Sequence, residues 1–232
     1  MKFVTFVSRP AGLSRSEFQT WFTDVYAPDI GGLAGIRGCL VRETHGSPDP
    51  ADEAEAERPV NNFEPYDIVM ETWFSSTEDF RREARPLEVR LREKSCRYIS
   101  YRVTPRLQKD PRIAEAGSRG ARPEVTVIFS FTWASGLSAE QGARYWDEHT
   151  AIALRAQPAM TKYEQNLVEE VISWTAGTRA IDAYGDFSFR TMHDLMTKFI
   201  AADEEIQDAV RWNGKYQVAF LGDARSFIPQ SG

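Results

Sequence analysis

Apolar positions along the chain fall into short strand-like runs and helix-like periodicities, and the same order of both occurs twice. The run Phe3-Val-Thr-Phe-Val leads through Gly12-Leu13-Ser14 into a segment with Phe18, Trp21, Phe22 and Val25 at i, i+3, i+4 and i+7. The run Val125-Thr-Val-Ile-Phe-Ser-Phe leads through Gly136-Leu137-Ser138 into Gly142, Tyr145, Trp146 and His149, displaced by 136 − 12 = 124 residues. Runs rich in Val, Ile, Phe and Thr suit buried strands, and the 3.6-residue period marks one helix face. Each helix opens on a capping box, Ser14-x-x-Glu17 and Ser138-x-x-Gln141, in which hydroxyl and longer side chain satisfy backbone N–H groups reciprocally.

The pattern continues in parallel. Strands are expected at 38–43 and 160–169, then at 66–74 and 181–189. Second helices begin at Ser76-x-x-Asp79 and Thr191-x-x-Asp194, and final strands lie at 97–103 and 217–221. Each half therefore reads β-α-β-β-α-β, the ferredoxin-like unit. The predicted fold class is α+β: two such units fused in tandem, 1–104 and 124–232, with 105–123 as a Pro/Gly/Arg-rich linker. A single unit leaves one sheet face bare, and two in one chain cover each other by closing into a barrel with helices outside. An acidic insertion at 47–62 reads as a loop between strands.

Composition narrows the function classes. A net charge of −6 disfavours a polyanionic partner, so no nucleic acid is expected. The one basic stretch, Arg81 to Arg97, is interleaved with Glu83, Glu88 and Glu93 and reads as a solvated helix face. No apolar run reaches the roughly 18–20 residues of a membrane helix, and no secretory leader is evident. Two cysteines, Cys39 and Cys96, make neither a disulfide framework nor a metal knuckle, which suits a cytoplasmic protein. The three histidines lack close metal-ligand spacing, and no phosphate loop, nucleophile elbow or dinucleotide fingerprint occurs. No metal and no cofactor is called for.

The ordered motifs resemble the EthD-like branch of the dimeric α+β barrel superfamily. In the first half the resemblance rests on Gly12-Leu13-Ser14, Phe22, Tyr26-Ala27-Pro28 and Tyr66-Asp67 with Glu71 and Trp73-Phe74. In the second it rests on Gly136-Leu137-Ser138, Tyr145-Trp146, His149, Tyr163-x-Gln165-Asn166 and Asp182 with Asp186. Tyr26 stands at the family's histidine position, Cys39-Leu-Val-Arg42 replaces Tyr-x-Gln-Asn, and His149 matches only with a one-residue gap. The second half is thus expected to keep the polar site. The resemblance implies cofactor-independent chemistry on aromatic, polyketide-like or lactone compounds. Some barrel relatives bind haem through a helix histidine, but no further residue here supports it.

His149 is the lead catalytic candidate, a residue that exchanges protons near neutrality, placed near a helix end whose dipole favours a cation. A buried histidine bonded to a carbonyl is the bland alternative. Strand alternation puts Asp67 and Glu71 on one face, and Asp182, Tyr184 and Asp186 on another. Asp67 and Asp182 suit loop contacts, whereas Glu71 and Asp186 suit a base or a carboxylate that orients His149. Tyr163, Gln165 and Asn166 supply donors for an oxyanion, although Tyr163 and Asn166 cannot share a face without a bulge. Tyr26, Trp146, Trp174, Tyr184 and Phe187 are the candidate aromatic substrate contacts, with plain core packing as their alternative. The expectation is a lyase of dehydratase or decarboxylase type. A cofactor-free monooxygenase, an isomerase and a non-catalytic binding protein are the rivals, and the assembly is a pseudo-dimer within one chain or a homodimer.

Overall fold

The computed structural model describes residues 1–45, 66–94, 96–109, 125–178, 180–191, 193–195, 208–209, 211–222 and 225–227. The acidic insertion and most of the second helix of the later half lie outside them. The strands are β1 (Lys2–Ser8), β2 (Ile36–His45), β3 (Ile68–Phe74), β4 (Arg97–Lys109), β5 (Val125–Trp133), β6 (Met160–Trp174), β7 (Ala183–Phe189), β8 (Asn213–Leu221) and β9 (Arg225–Ser226). The helices are α1 (Arg15–Trp21), α2 (Ala27–Gly31), α3 (Thr77–Glu83), α4 (Arg85–Glu93) and α5 (Ala139–Ala156), with a π-helical turn at Phe22–Tyr26 between α1 and α2.

Eight strands close on themselves in the order β3-β1-β4-β6-β7-β5-β8-β2, with β2 returning to β3, and every pairing is antiparallel. Each half contributes the same local order, β2-β3-β1-β4 and β6-β7-β5-β8. The two junctions between the halves differ. Among the described residues, the β4–β6 ladder runs from Ile99↔Trp174 to Lys109↔Tyr163, while β2–β8 shows the pairs Thr44↔Leu221 and His45↔Phe220. Residues 105–109 therefore continue β4, where the local pattern predicted linker. Their hydrogen-bond partners lie on a strand some sixty positions away, a pairing that the segment's own composition does not disclose.

Strand alternation divides the core. Val4, Phe6, Val69, Ile99, Tyr101, Val103, Ile128, Tyr184 and Leu221 fill the barrel interior, a cluster that draws on both halves and on no helix. The outer faces carry separate layers under the helices. Phe18, Phe22, Tyr26, Cys39, Met70 and Tyr98 pack in the first half, and Phe131, Trp146, Tyr163, Phe187, Phe189 and Trp212 in the second.

Both capping boxes close, with Glu17 N–H donating to Ser14 Oγ (3.3 Å) and Gln141 N–H to Ser138 Oγ (3.2 Å). Gly12 and Gly136 precede them with φ of 85° and 91°, a region that side-chain-bearing residues avoid. The helices then diverge. α5 is one regular helix, but the π-turn inserts a residue into the first-half equivalent, with Ala27 N–H reaching Phe22 O. That insertion rotates Val25, expected on the buried face, outward to 42% exposure and brings Tyr26 fully inside. It also accounts for the gap between the halves: Tyr26 and His149 are 149 − 26 = 123 apart, one fewer than the glycines.

Candidate functional site

α5 lays its apolar face on β5, β6 and β7. Gly142 and Gly185 allow the close approach, since a Cβ on Gly142 would fall 2.2 Å from Trp133 Cδ2 and one on Gly185 would meet Phe187 and Trp146. His149 projects from this face at 4% exposure, edge-on to the Trp212 ring at 5.1 Å between centroids. Phe131 lies 5.0 Å from both Trp146 and Trp212, completing an aromatic wall.

The polar atoms of this layer form a defined set. His149 Nδ1 stands 2.8 Å from Asp208 Oδ2, and Arg211 Nη1 holds the other carboxylate oxygen at 3.1 Å. An ionised carboxylate only accepts, so Nδ1 carries the proton and the basic lone pair of the neutral ring is on Nε2. Gln165 Nε2 lies 3.0 Å from Trp146 O, 2.9 Å from Thr150 Oγ1 and 3.1 Å from Tyr163 Oη, tying helix to sheet. Among the described residues, the buried donor Trp212 Nε1 has no partner.

Inside the barrel is a second polar cluster. Lys2 Nζ approaches Glu71 Oε1 (2.6 Å), Glu164 Oε1 (2.5 Å) and Asn166 Oδ1 (2.9 Å). Arg42 Nη1 and Lys162 Nζ meet Asp186 Oδ2 at 3.0 and 2.6 Å, and Tyr184 Oη donates to Glu71 Oε1 at 3.1 Å. Desolvation opposes charge on Glu71 and Asp186, but Lys2 and Arg42 beside Glu71, and Arg42 and Lys162 beside Asp186, outweigh it and hold both carboxyls below their ordinary range. Lys2 is likewise held protonated, burial being overcome by Glu71. Oxygens of Glu71, Glu164 and Asp186 come within 4.8 Å of one another, a spacing a metal ion could use. Lys2, Arg42 and Lys162 already occupy that role, three cations for three carboxylates, so the donor set does not fit a metal.

The sheet separates residues that the sequence groups into one site. His149, Trp146, Tyr163 and Phe187 belong to the helix layer, whereas Glu71, Asn166, Tyr184 and Asp186 face the barrel interior. Tyr163 and Asn166 fall on opposite faces, as unbroken alternation between them requires. Neither Asp186 nor Glu71 orients His149; Asp208 does, from a segment with no local motif. The dipole argument for His149 also yields to Asp208, because α5 continues to Ala156 and helix-end effects are confined to about the last turn. Trp174 is 59% exposed at the end of β6, and Tyr26 sits in the first-half layer, so neither walls the His149 site. Asp67 and Asp182 bind backbone at strand ends: Arg9 N–H, just after β1, donates to Asp67 Oδ2 (2.7 Å) and Trp133 N–H, the last of β5, to Asp182 Oδ2 (2.8 Å), donors again 124 residues apart. Sequence reasoning missed Asp208, Trp212, Lys2, Arg42, Lys162 and Glu164. Only Trp212, an aromatic just ahead of an expected strand, left a local trace.

Residues 10–88 match the EthD domain. No curated protein matches the chain in sequence. Among solved structures, an anthrone oxidase-like protein superposes with a TM-score of 0.61 at 9% identity, over 97% of this chain and 92% of that one. A monooxygenase-like protein from Fusobacterium nucleatum gives 0.53 at 7% identity, over 97% and 93%. Another from Lactobacillus acidophilus gives 0.50 at 6%, over 98% and 96%. At these identities the likeness carries the fold, that of the dimeric α+β barrel proteins, and not the activity.

Proposed function

We propose, for a chain that carries an EthD domain within an α+β barrel, an enzyme that moves protons on a small aromatic or polyketide-like molecule. The observation that carries this reading is the buried His149–Asp208 pair beside a Trp212 donor that has no partner among the described residues. Neutral His149 takes a proton at Nε2 from an acidic carbon next to a carbonyl, while Asp208 stabilises the imidazolium. Trp212 Nε1 donates to the oxygen on which charge develops, and Trp146 and Phe131 hold the ring. In a dehydration, the electron pair left on carbon forms the double bond as the β-hydroxyl departs. The His149 proton joins that leaving group, giving water and restoring the base.

A cofactor-free monooxygenase is the second reading, favoured by the names of the structural relatives. There His149 would generate a phenolate or enolate that reacts with molecular oxygen. We further read the halves as a tandem duplication with units 1–104 and 124–232, supported by the capping boxes and the Arg9–Asp67 and Trp133–Asp182 bonds.

Turnover of a panel of aromatic β-hydroxyketones and anthrone, with and without oxygen, tests these. The lyase reading expects water loss that is independent of oxygen and falls ~10²–10⁴-fold in His149→Ala. Oxygen-dependent product would move the assignment to the monooxygenase. Turnover indifferent to His149→Ala would overturn both, and ligand binding without any turnover would leave a sequestering protein.

A further inference from the structure

The end of β4 carries one side chain of the first half into the helix layer of the second. Here the ladder steps from Leu107↔Glu164 to Lys109↔Tyr163, so Gln108 is an extra residue on its strand. A bulge of this kind re-aims a side chain. Residues paired across a ladder share a face, which puts Lys109 on the Tyr163 side of the sheet. The bulge turns Gln108 to that side as well, where its Nε2 donates to Gln165 Oε1 at 3.0 Å.

Gln165 is 1% exposed and meets α5 with its other end. Trp146 O can only accept, so the amide directs Nε2 at the helix and Oε1 at Gln108. Trp146 and Thr150, the two α5 residues that Gln165 Nε2 reaches at 3.0 and 2.9 Å, bracket His149 within one helical turn. A donor at position 108 therefore secures the amide that grips this turn. An acceptor there would set oxygen against oxygen, and relieving it by rotating the amide would break the contact with Trp146 O. Either way a buried polar group loses its partner, which is costly.

We propose that Gln108 is a positioning residue for the reaction assigned to His149, acting through Gln165 on the turn of α5 that bears the imidazole. The inference rests on the reading of His149 as the base. It makes a site built from the later half depend on a donor supplied by the earlier one.

Two variants of the full chain test it: Gln108→Glu, which keeps the shape and offers only acceptors, and Gln108→Lys, which keeps a donor. In ¹H–¹⁵N NMR the Nδ1–H resonance of His149 should move in Gln108→Glu and stay in place in Gln108→Lys. On the substrate panel above, Gln108→Glu should lower kcat about tenfold with KM within about twofold, and Gln108→Lys should match the wild type. A resonance that is unmoved in Gln108→Glu, or displaced equally in both variants, would overturn the proposal, as would equal loss of turnover in both. If the wild type turns over nothing on the panel, the reaction falls and the resonances alone decide whether Gln108 positions His149.

Discussion

Asp186 shows how a single side chain can be tied to both halves of the molecule at once. It is fully buried, accepts from Arg42 of β2 and Lys162 of β6, and is held ionised by those two charges. Removing one partner of a buried ion network leaves the others uncompensated, so Asp186→Asn should cost about 3–5 kcal/mol in chemical denaturation. The pH dependence has a definite sign. Glu71 and Asp186 have folded pKa values below their unfolded ones, so their stabilisation is present above the ordinary carboxylate range, about 4, and is lost as pH falls through the folded values. Lys2, shifted upward, keeps its contribution throughout that window and loses it only in strong alkali. Glu88 acts in the opposite sense, because burial raises its pKa despite hydrogen bonds from Ser173 and Ser100, and protonation relieves it. Thermal melts should therefore fall steeply below about pH 4, and the acid limb should flatten in Asp186→Asn.

At the scale of elements, the helix starts were legible and the helix faces only partly so. Gly-Leu-Ser with Glu17 or Gln141 three residues on is a local signal, and both capping boxes form where it places them. The inward turn of Tyr26 was not legible, because a π-turn depends on how the helix meets its sheet and leaves no mark in periodicity. The same holds for the site. His149 was found from its place on an apolar helix face. Asp208 was not, since it reaches His149 from 59 residues away in a stretch without pattern. The barrel ions were hidden for a related reason: Lys2 and Glu164 are adjacent only after the sheet has closed. One substitution separates packing from propensity. Gly142→Ala gains up to about 1 kcal/mol of helix propensity, yet its methyl would sit 2.2 Å from Trp133 Cδ2. The overlap should win, lowering stability by about 1–3 kcal/mol in urea melts and displacing α5 with His149.

At the scale of the molecule, the described residues join the barrel along two unequal seams. β4 and β6 share a long ladder, whereas β2 meets β9 through Leu40↔Ser226 and Val41↔Arg225 and then β8 through Thr44↔Leu221 and His45↔Phe220. Backbone amides open locally where few bonds and contacts hold them. Hydrogen exchange followed by mass spectrometry should show peptides spanning residues 44–45 and 221 exchanging well before those of β4 and β6. Equal protection of the two seams would contradict this ranking. The unequal seams also bear on self-association. If the weaker one unzips while the stronger one holds, the cylinder becomes a curved eight-stranded ribbon with two raw margins of unpaired peptide groups. Such a ribbon can close just as well on the margins of an identical neighbour, so concentrated solutions have an inbuilt route to exchanged dimers in which every barrel is completed by a second chain.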